Sequence, residues 1–199
     1  MSAVRNIGLC GVGGQGILFL GQLLANAFMR RGLDVRVAEI HGMAQRGGSV
    51  LVELRYGTRV HAPASHGDYD ILVALEYIEG LRQLHKLKRD GVLILNLDVI
   101  RPLAALLGED VPALSQIYPI LKQRVGKLAI GNFTKTATRV ASPRATNVFV
   151  AGVLLSLGIL PISVEDVEGA LRVVSPPRFL EVNLRALHAG LAREEVEVR

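Results

Sequence analysis

GVGGQGILFL, residues Gly11 to Leu20, follows an apolar run from Arg5 to Cys10 and opens a helical pattern from Ile17 to Arg31 that stops at Gly32. The stretch therefore reads as strand, glycine loop and helix, the first unit of an α/β fold. Gly11, Gly13 and Gly16 fit the G-x-G-x-x-G spacing of dinucleotide-binding loops. A strand end followed by glycines and a helix N-terminus exposes unpaired backbone N–H groups at the positive end of a helix dipole, which suits an anion. Glu39, at the end of the second strand, stands where a ribose-binding acid would be sought. The fingerprint is short, however, and no hydride-transfer site follows it. A nucleotide, a different anionic group and a tight structural turn all remain readings of the loop.

Outward from this unit, Val35 to Ile40 predicts a second strand. The loop His41 to Gly48 leads into a third over Ser49 to Tyr56, where Val50, Val52 and Leu54 alternate with Leu51, Glu53 and Arg55. Gly57 and Thr58 form a turn, and Tyr69 to Leu75 is a buried strand. Glu76 to Arg89 has a helical apolar face that includes His85, which "RDG" closes before a strand over Val92 to Leu97. Three prolines interrupt Ile100 to Lys122, with a helix opening at Tyr118 and proline at its start. Lys127 to Gly131 adds a strand. Helices follow over Phe133 to Ala141, Asn147 to Leu157, Val164 to Val173 with a Ser163 cap and Asp166 three residues on, and Pro177 to Arg193. The order implies one Rossmann-like domain over residues 1–199: a three-layer α/β/α sandwich on a mostly parallel, mixed sheet.

Half of the 199 residues are hydrophobic, 21% are charged and 21 are glycine, a composition that excludes disorder. The longest apolar stretches, such as Val148 to Leu160, fall short of the roughly 20 residues of a spanning helix, so no membrane is expected. The surplus apolar surface is suited to another subunit. A net charge of +5 favours an anionic partner. Nucleic acid is disfavoured, because tryptophan is absent and no basic tract is interleaved with aromatics. The N-terminus has no leader pattern, which predicts a cytoplasmic chain.

The stretch HGMAQRGGSV places Arg46 beside Gly47 and Gly48, a guanidinium next to exposed amides just before a strand. Loops at the carboxyl edge of a parallel sheet cluster, which brings Gly11 to Gly16 near Gln45 to Gly48. The alternative is an Arg46 paired with a carboxylate such as Glu39, with glycines that only permit the turn. His61 and His66 lack metal-ligand spacing, and His85 reads as core; His41 adjoins the second loop. Cys10 lies near a helix N-terminus that could lower its pKa, although a small buried hydrophobe is the commoner outcome. Being the only cysteine, it cannot make a disulfide, a cluster or a thiolate zinc site within the chain. Glu76, Glu79 and Arg82 fall on consecutive helical turns, as a surface ion pair or as a contact to a partner.

GxGGQG at Gly11 to Gly16, RGG at Arg46 to Gly48, and a helical Thr146-Asn147 followed by Ala151-Gly152 together resemble the gamma domain of 2-oxoacid:ferredoxin (acceptor) oxidoreductases. The segments DILVALEYIEGLRQL and EVNLRALHAG are closer to one branch, the beta subunits of indolepyruvate ferredoxin oxidoreductases.

The resemblance implies a subunit of an enzyme that oxidatively decarboxylates aryl 2-oxoacids, reduces ferredoxin and releases an acyl-coenzyme A. It implies thiamine diphosphate, Mg and iron-sulfur clusters in an alpha partner subunit, with coenzyme A as co-substrate. This chain then completes the active site without catalytic residues or a metal of its own, as part of a hetero-oligomer or, when isolated, a homodimer. Carried onto this sequence, Gly11, Gly13, Gly14, Gln15, Gly16, Arg46, Gly47 and Gly48 form an edge facing the partner's active site or the coenzyme A phosphates. A stand-alone dinucleotide-binding oxidoreductase and a purely structural interface subunit are the alternatives.

Overall fold

A computed structural model describes residues 4–41, 47–60, 68–100 and 111–199. Seven strands form one sheet in the order β2-β3-β1-β4-β5-β6-β7. β1 (Arg5–Val12), β4 (Tyr69–Ala74), β5 (Leu87–Asn96) and β6 (Lys127–Gly131) run parallel in the centre. β2 (Asp34–His41) and β3 (Ser49–Gly57) attach antiparallel at one edge, and β7 (Glu197–Val198) closes the other. This is the mixed α/β sheet that the sequence pattern implies, with its antiparallel pairings confined to the flanks.

Period-two alternation divides the central strands between two cores. Ile7, Leu9, Ile71 and Val73 face a thick layer made by α1 (Ile17–Arg30), α4 (Phe133–Val140), α5 (Thr146–Ser156), α6 (Val164–Val174) and α7 (Pro177–Leu191). Cys10, Leu72, Ala74 and Leu93 face a thin layer of α2 (Tyr77–Gln83) and α3 (Leu114–Arg124). The three layers follow. α5 is buried on every side from Thr146 to Leu154, and its lack of a polar face fits a helix inside the thick layer. It crosses α7 backbone to backbone: a Cβ on Gly152 would stand 2.2 Å from the Leu187 carbonyl oxygen, and one on Gly190 2.0 Å from that of Phe149. Only glycine permits that approach.

Three local expectations are corrected. The helix after Glu76 ends at Gln83, and a short 3-10 turn over Leu84–Lys86 leads into β5 at Leu87. Leu87 is in register with Tyr69, while the next pair is Ile71 with Val92. The "RDG" residues thus bulge out of a strand, with Asp90 at φ 64°, rather than ending a helix; pairing with β4 overrides the helical period. His85 is consequently exposed, its Nδ1 2.8 Å from the Arg82 carbonyl oxygen, and is not core. Pro119 lies inside α3, which begins at Leu114; Ser115, whose carbonyl Pro119 cannot bond, is exposed to solvent. Glu53, in the alternating strand β3, is buried and accepts a hydrogen bond from the Tyr69 hydroxyl.

Candidate functional site

β1 ends in the glycine loop at the carboxyl edge of the sheet, and the loop is held from three sides. The Val12 N–H donates to Gln15 Oε1 at 2.8 Å, while Gln15 Nε2 donates to the Leu75 carbonyl at 2.8 Å. The Gln15 amide therefore staples the loop to the end of β4. The Gly13 N–H donates to the Gly48 carbonyl at 2.8 Å, so the two glycine segments meet as the strand-end argument expects. Gly16 caps α1 in a left-handed conformation, φ 77°. Its carbonyl accepts from Asn147 Nδ2 at 3.1 Å, and a Cβ there would stand 2.3 Å from that same nitrogen. Gly14, at φ 105°, is exposed, with open space where a Cβ would project.

Individual glycines therefore have different work. Gly11 is buried in β1, where a Cβ would meet Gln15 Oε1 at 2.6 Å; its role is packing. The amide of Gly13 is already spent on Gly48. Gly14 and Gly16 line an open cleft of about 390 Å³, together with Gln15, Asp98, Thr134, Arg144 and Thr146. Gly47 is exposed at φ 74°. Arg46 lies outside the described residues, as do His61 and His66.

Sequence reasoning missed the cleft's far wall. Asn96, fully buried at the end of β5, donates to the Leu75 carbonyl and to Thr134 Oγ1, both at 2.9 Å, and accepts from the Phe133 N–H at 2.8 Å. Thr134 in turn donates to Asp98 Oδ2 at 3.0 Å. The available signal was an asparagine ending the apolar run of β5, since a buried amide must have partners. Arg144, in the 3-10 turn before α5, is exposed, and its side chain makes no hydrogen bond or ion pair among the described residues. Two helices open toward this cleft without a side-chain cap or an acid in the first turn: α1 and α5. By contrast α2 and α6 carry both. The field at the cleft thus favours negative charge, with Asp98 opposing it locally.

Behind the glycine loop, Glu76 and Glu79 are buried while Arg82, paired with Glu79, is exposed. Glu76 caps α2, accepting from the Glu79 N–H at 2.7 Å and the Ile100 N–H at 3.1 Å. Burial raises its pKa above the ordinary carboxylate value, against the backbone N–H groups that lower it. Glu79, also buried, accepts from the Ser49 hydroxyl at 2.6 Å and from Arg82 at 3.1 Å. Cys10 is fully buried in β1, and burial pushes its thiol up; the helix-activated alternative does not hold.

The dinucleotide reading loses its second support. In the doubly wound arrangement the acid-bearing strand lies beside β1, whereas here β3 takes that place and β2, with Glu39, is one strand further out. Among the described residues, no helix is long and apolar enough to cross a membrane.

Residues 6–193 match the family model described as pyruvate ferredoxin/flavodoxin oxidoreductase. The chain is 40% identical over 187 residues to indolepyruvate oxidoreductase subunit IorB of Archaeoglobus fulgidus, covering 93% of this chain and 92% of the relative. It is 35% identical to the subunit of the same name from Thermococcus kodakarensis, covering 94% of each. Its fold is shared with the gamma subunit of a keto/oxoacid ferredoxin oxidoreductase from Geobacter sulfurreducens, with TM-score 0.70, 24% identity, and 95% and 97% of the two chains covered. It is shared too with 30% of a chain of the 2-oxoglutarate:ferredoxin oxidoreductase of Magnetococcus marinus, a structure with 2-oxoglutarate, coenzyme A and succinyl-CoA bound, at TM-score 0.73, 20% identity and 95% coverage of this chain. With a family match that runs nearly end to end and relatives of its own length, the chain belongs to the pyruvate ferredoxin/flavodoxin oxidoreductase family.

Proposed function

We propose that this chain is the small subunit of a 2-oxoacid:ferredoxin oxidoreductase of the indolepyruvate type, a single domain whose carboxyl-edge cleft completes an active site carried by a larger partner. The observation that carries the reading is the whole-length match to separately encoded subunits, on a fold whose glycine loop borders an open, cation-flanked cleft. Thiamine diphosphate, Mg and the iron-sulfur clusters belong to the partner in this reading, and ferredoxin is reached through the complex. Cys10, fully buried in β1, does not fit a cluster ligand.

Coenzyme A is the anion proposed for the edge of Gly13, Gly14, Gln15, Gly16, Arg46, Gly47 and Gly48, with Gly11 packed behind it. The exposed backbone at Gly14 and the uncapped α1 N-terminus fit a phosphorylated group there. Within this chain Gln15 and Asn96 hold the loop rigid, so that the cleft is preorganised rather than assembled on binding.

The test is co-expression with the presumed larger subunit, followed by coenzyme A-dependent ferredoxin reduction with indolepyruvate, with and without this chain. Activity only in the complex, with Arg46→Ala raising the KM for coenzyme A, is the expected result. Full activity without this chain would overturn the reading, and an unchanged KM would remove the coenzyme A role from the edge.

A further inference from the structure

Arg144 lines two concavities at once. One is the polar cleft beside the glycine loop. The other is a groove of about 240 Å³ walled by Phe19, Pro176, Phe179 and Val182, with Asn183 at its rim. Among the described residues no carboxylate lines this groove, and the Arg178 guanidinium lies 4.8 Å over the Phe179 ring, adding a second positive charge beside it. Phe179 is 38% exposed, although it and Phe19 bring two aromatic rings to one hollow.

We infer that this groove binds a small aromatic carboxylate, its ring against Phe19, Phe179 and Val182 and its carboxylate on Arg144. Size, apolar wall and charge decide the class together. The volume falls below the roughly 300 to 1,000 Å³ of pockets that take drug-sized ligands, which suits one aromatic acid. Aromatic walls favour a planar ring over an alkyl chain of equal area, because ring pairs gain from stacked or edge-on geometry. A guanidinium without a partner among the described residues, at the mouth of an apolar hollow, matches a carboxylate in charge and in its paired donors. Because Arg144 also faces the cleft, an acid held here lies next to the edge proposed for coenzyme A. The groove thereby acts as the determinant of aryl over alkyl 2-oxoacids, an inference that rests on the oxidoreductase reading above.

Indole-3-acetate, which cannot be decarboxylated oxidatively as a 2-oxoacid, is the probe. The chain has no tryptophan, so the indole's own fluorescence reports its binding to the full-length protein. Saturable binding is expected, weakened about tenfold by Arg144→Gln through loss of a charge-assisted hydrogen bond. Phe179→Ala should weaken it as well, and Arg144→Gln should keep the thermal midpoint of the parent, since that side chain is exposed. No saturable signal, or binding indifferent to both substitutions, overturns the proposal. In the assembled enzyme, Phe179→Ala should lower kcat/KM for indolepyruvate against an aliphatic 2-oxoacid while leaving the KM for coenzyme A unchanged. Unchanged selectivity, or loss of probe binding on assembly because the partner fills the groove, also overturns it. If no active complex forms, the oxidoreductase reading fails separately, and the titration of the isolated chain still decides whether the groove takes an aromatic acid.

Discussion

The Ser49 hydroxyl donates a 2.6 Å hydrogen bond to the buried Glu79 carboxylate, one residue after the Gly48 carbonyl that accepts the Gly13 N–H. Helix α2 is thereby coupled to the glycine loop through the start of β3. Ser49→Ala should cost about 1–2 kcal/mol, as expected for a part-buried bond to a charged acceptor. In a double-mutant cycle with Glu79→Gln by urea unfolding, the two losses should fall short of additivity by at least about 0.5 kcal/mol. Strict additivity would mean that the two side chains are not coupled.

Gly16 and Gly14 both have positive φ, but only Gly16 faces a neighbour, Asn147 Nδ2, where its Cβ would lie. Gly14→Ala carries backbone strain of about 1–2 kcal/mol. Gly16→Ala should cost clearly more, and part of the excess should disappear in an Asn147→Ala background. Equal losses for the two alanines, measured by thermal unfolding, would contradict the contact.

Glu76 sets a pH dependence. Its folded pKa is raised, chiefly by burial, so the folded state holds the proton more tightly than the unfolded chain. The associated stability is present in full below the ordinary value of 4.5, and is lost as pH rises through the folded pKa. Between pH 4 and 7 the parent should therefore lose stability relative to Glu76→Gln. The slope of that difference is the readout, because glutamine also gives up one of two carboxylate acceptors. A difference that is flat with pH would show that Glu76 keeps the same pKa folded and unfolded.

Cys10 should be silent toward thiol reagents. It is fully buried, and burial raises its pKa, so both access and thiolate fraction are small. At pH 8 a disulfide reagent should leave the native chain unlabelled, and label one thiol per chain once urea unfolds it. Fast labelling of native protein would show that β1 opens locally.

The strands β1 to β4 and the helices α1 and α4 to α7 were legible because their periods are long and their caps are local, as with Ser163 and Asp166 at the start of α6. The boundary between α2 and β5 was not, because Leu84 and Leu87 satisfy a helical period and a strand ladder equally well, and only pairing with Tyr69 separates the two. Within the cleft, Gly16 was singled out by the glycine spacing, and Gly14 and Gln15 by the family resemblance. Asn96, Asp98, Thr134 and Arg144 were not, since they come from three further segments that carry no shared motif.

By itself the sequence determined the strand, glycine loop and helix at the N-terminus, the helical last third and the family resemblance, all of which depend on residues near one another in the chain. Tertiary structure alone decided that β3 lies between β1 and β2, taking Glu39 away from the glycine loop. It alone decided too that Gln15 and Asn96 converge on the Leu75 carbonyl. Both are set by which strands pair and which buried polar groups find partners, and those are properties of the packed sheet rather than of any local stretch.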